Sequence, residues 1–207
     1  MPKIIAPSFY FIGNHTALDY INTKITVNGK PADLLKSWDD LLKWLSLSSL
    51  LTAEQISAVK DKWPSQEADS AVKDAIELRT SLLSMVRQSM LGDELAEEDL
   101  GRVNRILINQ VVTTRLVRTG NRFAVERQTE FRSPSDLLIP IAEAAVDLFA
   151  YYDFGLVKKC GNPDCVLYFY DHSKNGIRRW CSPKTCGNRM KVTAFLKRRK
   201  SKEAEAE

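Results

Sequence analysis

The chain has 207 residues, of which 44% are hydrophobic and 27% are charged. This composition excludes an intrinsically disordered chain and suffices for one medium-sized domain with a small appended one. The sequence contains neither a run of apolar residues long enough for a membrane helix nor the apolar core of a signal peptide. We therefore expect a cytoplasmic protein without a membrane partner.

The net charge of +4 conceals a strong asymmetry along the chain. Residues 1–150 carry 17 basic and 20 acidic residues, whereas residues 151–200 carry 12 basic and 3 acidic ones. Such a one-sided block indicates a polyanionic partner, although a solvated basic surface would give the same pattern. Residues 201–207 form a short acidic tail.

The first 25 residues mix β-branched and aromatic side chains around the turn signal Gly13-Asn14. This pattern favours one or two short strands, with a helical turn over Thr16–Ile21 as the alternative. Asn28-Gly29 then predicts a loop.

Four helices are predicted between residues 37 and 108. The first two begin with capping boxes, because Ser37 and Thr52 are each followed three residues later by a side chain that bonds back, Asp40 and Gln55. The second helix is expected to end at Pro64. The third is predicted from Ala68 to Leu91, with Gly92 as its C-terminal cap, and the fourth from Asp93 to about Ile108.

The pattern after residue 108 predicts a β-hairpin and one more helix. Val111–Arg118 and Arg122–Gln128 are rich in valine and threonine, and Gly120-Asn121 separates them. A helix follows from about Pro140 to Asp153. The expected fold class is mainly α (α+β). A helical N-terminal domain over residues 1–153, with a few short strands and the hairpin, precedes a small finger over residues 158–200 that combines a hairpin and a C-terminal helix.

The four cysteines lie within 27 residues, in the order Cys160, Cys165, Cys181 and Cys186. Two pairs on short, turn-rich loops suit tetrahedral zinc, whose Zn–S distance is about 2.3 Å. Disulfides, an iron–sulfur cluster and a chance grouping of buried cysteines are the alternatives, and the expected cytosolic location disfavours the first. Four thiolates leave no open coordination position, so we expect one structural Zn²⁺ ion rather than a catalytic one.

The segment between the cysteine pairs predicts a small hairpin. Val166–Tyr170 forms its first strand, Asn175-Gly176 its turn, and Ile177–Trp180 the return. A module this small buries little apolar area, so bound metal supplies most of its folding free energy, on the order of 10–16 kcal/mol. Trp180 is expected in a core with Leu167 and Phe169. The alternative is that Trp180, Tyr168 or Tyr170 stacks on nucleobases.

A basic helix is predicted from Asn188 to about Lys200, packed on one side by Val192, Phe195 and Leu196. Cations on this helix, the hairpin and the second cysteine loop are available to phosphates. The predicted nucleic-acid-binding residues are Arg178, Arg179, Lys184, Asn188, Arg189, Lys191, Lys197, Arg198, Arg199 and Lys200. Asn188 or Arg189 either reads a base edge or serves the structure, as a helix cap and a brace of the zinc loop.

Residues 1–150 offer little material for catalysis. They contain no nucleophile–base pair, phosphate loop or metal box, so we do not expect an enzyme. A small-molecule ligand, if one binds, would be sought at four polar residues: Asn14, His15, Asp19 and Asn22. The alternative is that these side chains cap turns and a helix start.

Two segments resemble known families. Arg179-Trp180-Cys181, with Thr185-Cys186-Gly187-Asn188-Arg189 and the upstream Cys160-x4-Cys165, resembles the CGNR zinc finger, named for its tetrapeptide. The N-terminal portion resembles the ABATE domain through these pieces: Phe11-Ile12-Gly13, Leu18-Asp19-Tyr20-Ile21-Asn22-Thr23, and Trp38-Asp39-Asp40-Leu41 with Trp44-Leu45. One departure from the family pattern is Tyr20, where phenylalanine is expected.

The resemblance implies a bacterial transcription regulator induced by stress. Its finger would bind DNA, and its N-terminal domain would sense a small ligand or oligomerise. RNA binding and protein interaction are the alternatives for the finger. A homodimer is plausible because one finger usually gives modest affinity.

Overall fold

The computed structural model describes residues 9–27 and 29–204. About 52% of the chain is helical, and the strands form short antiparallel pairs, which confirms the mainly α (α+β) class. In chain order the described elements are α1 (Thr16–Ile21), β1 (Lys24–Val27), β2 (Lys30–Asp33), α2 (Trp38–Leu47), α3 (Ala53–Val59), α4 (Ser65–Leu91), α5 (Glu97–Leu107), β3 (Val111–Thr119), β4 (Arg122–Glu130), α6 (Ile139–Tyr151), β5 (Val157–Lys159), β6 (Tyr168–Tyr170) and α7 (Asn188–Ala204).

The chain divides into two compact units that do not follow chain order. Residues 35–152 form the helical unit, whereas the residues up to 34 join those from 153 onward in a second unit, here called the finger unit. The sequence-based division at residues 153–158 did not anticipate that the N-terminal segment groups with the cysteines. Asn28, the first residue of the expected Asn28-Gly29 loop, lies outside the described residues. The last three residues of the acidic tail also lie outside them.

Local capping signals set the helix starts of the helical unit. The N–H of Asp40 donates to the Ser37 hydroxyl at 3.2 Å, and the N–H of Ser37 donates to the Asp40 carboxylate at 3.1 Å. Thr52 and Gln55 form the same two kinds of bond, so both predicted capping boxes are confirmed. At the end of α4, Gly92 adopts the left-handed φ of 75° expected of a C-terminal cap. Three helix boundaries of this unit differ from the prediction by three residues or more, since α3 ends at Val59, α4 begins at Ser65 and α5 begins at Glu97.

The core of the helical unit gathers around α4, which contacts α2, α5 and a 3₁₀ turn at Pro134–Leu138. Its fully buried members include Trp44, Leu78, Leu82 and Ile141. The predicted hairpin is present as β3 and β4, paired from Val111↔Glu130 to Thr119↔Arg122. A φ of 63° at Gly120 closes its two-residue turn.

The strand pairs of the finger unit differ from expectation. The helical alternative over Thr16–Ile21 is confirmed as α1, and β1 pairs with β2, which the sequence did not predict. The strand expected over Val166–Tyr170 is present only at Tyr168–Tyr170, and its partner is β5 and not Ile177–Trp180. None of the described helices is long and apolar enough to cross a membrane.

Candidate metal centre and nucleic-acid interface

The four cysteine sulfurs converge on one point. They lie within 4.8 Å of one another, with Sγ–Sγ distances of 3.7 Å from Cys165 to Cys181 and 3.6 Å from Cys181 to Cys186. Four sulfurs held tetrahedrally at about 2.3 Å from zinc lie about 3.8 Å apart, so the cluster fits one ion. Disulfides require about 2.05 Å and are excluded at these separations. The four cysteines form the site of one structural zinc ion.

Local turns aim the sulfurs at that point. The N–H of Cys160 donates to the carbonyl of Leu167 at 2.8 Å, and the N–H of Cys165 donates to that of Asn162 at 2.9 Å, which folds the first cysteine loop back on itself. The buried Asn162 amide also approaches the sulfur of Cys186 at 3.5 Å, and the N–H of Cys181 approaches that of Cys160 at 3.4 Å. Such N–H donors stabilise thiolates and orient them toward a metal.

The protonation of the cluster favours a cation at its centre. A hydrogen bond from the Cys181 thiol lowers the pKa of Cys165 to about 5, and the same bond raises the pKa of Cys181. Burial raises the pKa of Cys160. Thiolates this close repel one another, so a positive ion such as zinc stabilises them at the centre of the cluster.

The indole of Trp180 packs between the two cysteine loops. A Cβ added at Gly161 would lie 3.2 Å from its Cζ3, and one added at Gly187 would lie 3.1 Å from its Cδ1, so both glycines permit the close approach. Leu167 and Phe169 are buried in the same cluster. The predicted core of Trp180, Leu167 and Phe169 is confirmed, and Tyr168 is buried with it.

The N-terminal segment is hydrogen-bonded directly to β6. The buried side chain of Asn22 accepts from the N–H of Tyr168 and donates to its carbonyl, both at 2.8 Å, as a neighbouring strand would. Asn14 donates to the carbonyl of Tyr170 at 2.9 Å, and the N–H of Tyr170 donates to the carbonyl of Gly13 at 2.7 Å. Two of the four residues considered for ligand binding therefore attach the N-terminal segment to the finger.

The other two ligand candidates serve α1 and the turn before it. The Nδ1 atom of His15 accepts from the N–H of Ala17 at 3.2 Å and caps the helix. The carboxylate of Asp19 accepts from the N–H of Gly13 at 2.7 Å. Burial raises the pKa of Asp19 to about 6, against the lowering effect of its backbone hydrogen bonds. These partners favour a structural role over ligand binding for all four residues.

Arg178 occupies a structural position rather than an exposed one. Its guanidinium donates to the carbonyl of Trp180 at 2.9 Å, to that of Ile12 at 3.2 Å and to that of Cys181, and it lies 4.2 Å from the ring centroid of Phe169. Three of its five N–H donors are engaged in this way, which favours a structural role over the phosphate contact predicted from the sequence.

Asp171 fixes the backbone on which Arg178 sits. The carboxylate is buried and accepts from Lys158 Nζ at 2.6 Å and from the Arg178 N–H at 2.8 Å. Burial alone would raise the pKa of Asp171, but these bonds and those from Ser173 hold it well below its ordinary range. The sequence did not predict this role of Asp171, because the carboxylate and its partner Lys158 lie 13 positions apart in the chain.

The remaining cations lie on an exposed surface. Asn188 donates from its side chain to the carbonyl of Lys184 at 3.1 Å, which favours its structural alternative. The exposed basic candidates are Arg179, Lys184, Arg189, Lys191, Lys197, Arg198 and Arg199, whereas the side chain of Lys200 is outside the described part of the chain. Arg179 lies 5.1 Å from the Trp180 ring. We call the exposed basic residues of the second cysteine loop and α7 the basic surface: Lys184, Arg189, Lys191, Lys197, Arg198 and Arg199.

The predicted packing of α7 is wrong. Val192, Phe195 and Leu196 are 58%, 59% and 45% exposed, so no part of the described chain covers the apolar side of this helix. The helix also extends beyond the predicted end, to Ala204. Among the side chains described over residues 188–199, all but the partly buried Met190 are exposed.

A helical unit and a four-cysteine metal site that starts an exposed basic helix define a zinc-finger protein. Residues 14–152 match the ABATE family, described as “Putative stress-induced transcription regulator”, and residues 157–199 match the CGNR zinc finger. The chain belongs to the ABATE family and ends in a CGNR zinc finger, as the resemblance implied. Comparison with curated proteins returned no match.

Proposed function

We propose that the protein is a DNA-binding regulator of transcription that contacts duplex DNA through the basic surface. One observation carries the proposal: α7 begins two residues after the zinc ligand Cys186, and its described side chains are exposed except for the partly buried Met190. The metal site thereby fixes the base of a helix whose described side chains are almost all exposed.

The dimensions and charge of α7 suit the major groove. Its 17 residues span about 25 Å, and the groove admits one α-helix. No acidic residue occurs between Asp171 and Glu203, so every charged side chain of the second cysteine loop and of α7 up to Lys202 is basic. Several arginines and lysines with no acid among them supply the counterion release that drives binding to DNA.

The placement of the three aromatic candidates for base stacking, Tyr168, Tyr170 and Trp180, favours duplex DNA over single-stranded RNA. Binding of single strands relies on exposed aromatic rings on which bases stack. Tyr168 and Tyr170 are buried, and Trp180 packs between the cysteine loops, so the three candidate rings are used inside the finger unit. Competition between duplex DNA and single-stranded RNA for the labelled protein tests this preference.

The salt dependence of binding tests the proposal quantitatively. If about six phosphates are contacted, the slope of log affinity against log salt is about −5, and affinity falls by roughly 10³ between 50 and 200 mM salt. Fluorescence anisotropy with a random duplex measures both quantities on the zinc-bound protein. A flat salt response, or no binding at low salt, would overturn the proposal.

Charge-matched variants separate contact from general electrostatics. The triple change Lys191→Gln, Lys197→Gln and Arg198→Gln removes three cations from α7. The control changes three exposed lysines of the helical unit in the same way: Lys36, Lys43 and Lys73. We expect the slope to fall by about 3 for the first variant and to change little for the control. Equal losses in both would show that α7 makes no specific contact.

The proposal assigns no catalytic step to the protein and gives the regulatory input to the helical unit. That input is either a small ligand or self-association, the two roles expected for the N-terminal domain. Light scattering on the zinc-bound protein, with and without duplex DNA, measures whether the protein is a dimer. A monomer in both states would leave ligand binding as the regulatory input to test.

A further inference from the structure

The β3–β4 hairpin projects its side chains into solvent on both faces. Its strands of nine residues reach about 30 Å, and only Val111, Val117 and Thr129 among the strand residues are partly buried. A two-stranded ribbon is marginally stable by itself when neither face is covered. Both faces of this hairpin are therefore available to a partner.

The hairpin has a net positive charge, whereas the rest of the helical unit has a net negative charge. Residues 111–130 contain four arginines and two glutamates, whereas the rest of residues 35–152 contains ten basic and sixteen acidic residues. The four arginines are Arg115, Arg118, Arg122 and Arg127, and all are exposed. Among the described residues, none of the four forms an ion pair with an acidic side chain.

One face of the hairpin combines apolar and basic side chains without an acid. Leu116 pairs with Val125 across the strands, and they are 72% and 64% exposed. Phe123 is 65% exposed and lies on the same face. The guanidinium carbon of Arg118 lies 5.4 Å from the centroid of its ring. Because side chains alternate along a strand, Arg127 also belongs to this face, whereas both glutamates lie on the other.

These charges disfavour a second copy of the chain as the occupant. Stacking the apolar face against the same face of another molecule would bring Arg118 and Arg127 of both copies together without an acidic partner. Like charges brought together across an interface are destabilising. An anionic partner meets the same arginines favourably.

We propose that the β3–β4 hairpin is a second DNA contact, which lies in the major groove with Leu116, Phe123 and Val125 toward the base edges. The major groove is about 12 Å wide and admits a two-stranded ribbon. Arginines bind phosphates or guanine, and apolar side chains contact thymine methyl groups. This inference rests on the proposed function, since it adds a contact to duplex DNA that α7 already makes.

Two charge-matched variants test the hairpin. The first replaces all four hairpin arginines by glutamine, and the control replaces four exposed lysines of the same unit: Lys36, Lys43, Lys60 and Lys73. Circular dichroism and zinc content check that both remain folded. We expect the salt slope of duplex binding to fall by about 2 to 4 for the first variant and to change little for the control. The same slope in both variants would overturn the inference.

Photo-crosslinking locates the contact directly. Benzoylphenylalanine at Phe123 should crosslink to duplex DNA, whereas the same probe at Leu91, which is 76% exposed in the helical unit, should not. A crosslink from position 123 to another copy of the chain, or no crosslink, would refute the hairpin contact. If the hairpin variant binds normally while the α7 variant fails, only this inference falls. If the unaltered protein does not bind DNA at all, the proposed function falls as well.

Discussion

Replacing Asn22 by alanine should destabilise the zinc site, although Asn22 lies far from the cysteines in sequence. The side chain is 1% exposed and makes two hydrogen bonds of 2.8 Å with the backbone of Tyr168, itself 4% exposed. Alanine removes these two bonds from a buried N–H and a buried carbonyl, at a cost of about 1–3 kcal/mol each. The expected loss of folding free energy is therefore about 2 to 6 kcal/mol.

This loss should appear as weaker zinc binding, because metal binding and folding of the finger unit are coupled. A loss of about 2 kcal/mol corresponds to roughly a 30-fold lower apparent affinity. Competition with a chromophoric chelator measures it. Asn22→Asp, which keeps the shape and the acceptor but cannot donate to the carbonyl, should also weaken binding.

The matched control is Asn104→Ala, an exposed asparagine on α5 of the helical unit. Its zinc affinity should equal that of the unaltered protein. If Asn22→Ala also binds zinc within twofold of the unaltered protein, the N-terminal segment is not part of the folding unit of the finger, and the reasoning from these hydrogen bonds is refuted.

Arg178→Lys keeps the charge but loses donors to the carbonyls of Trp180 and Ile12, so chelator competition should show roughly tenfold weaker zinc binding. Unchanged zinc affinity with lost DNA binding would instead give this side chain a phosphate-contacting role. Burial raises the pKa of Asp19 to about 6, above the unfolded value of 3.8. Its contribution to stability is therefore fully present below about pH 4 and lost as the pH rises through 6. Asp19→Asn should gain up to about 3 kcal/mol over the unaltered protein in urea unfolding at pH 8 and lose that gain near pH 4, and a difference independent of pH would contradict the buried carboxyl.

Signals confined to a few neighbouring residues predicted structure well. Ser37 and Thr52 each bond within their own first helical turn, so their sequence context is sufficient to identify the capping boxes. The β3–β4 hairpin is similarly local, since its turn at Gly120 joins strands that pair directly. The spacing of the four cysteines identified the metal site because zinc imposes its own geometry on two short loops.

Contacts between distant segments could not be predicted in this way. The sequence drew attention to Asn14 and Asn22, but their partners Tyr170 and Tyr168 lie 156 and 146 positions further along the chain. Without those partners, a polar cluster near a helix start is equally consistent with a ligand site. The error at α7 has a related cause, because an apolar stripe indicates that something covers a helix but does not identify what covers it.

The account depends on one metal-dependent folding unit built from both ends of the chain. Hydrogen exchange measured by mass spectrometry, before and after zinc is removed with a chelator, tests this dependence directly. We expect protection to fall together in residues 16–27 and 157–187, while residues 65–91 in α4 keep theirs. If residues 16–27 remain protected when the cysteine segment opens, the zinc site does not organise the N-terminal segment, and the account is contradicted.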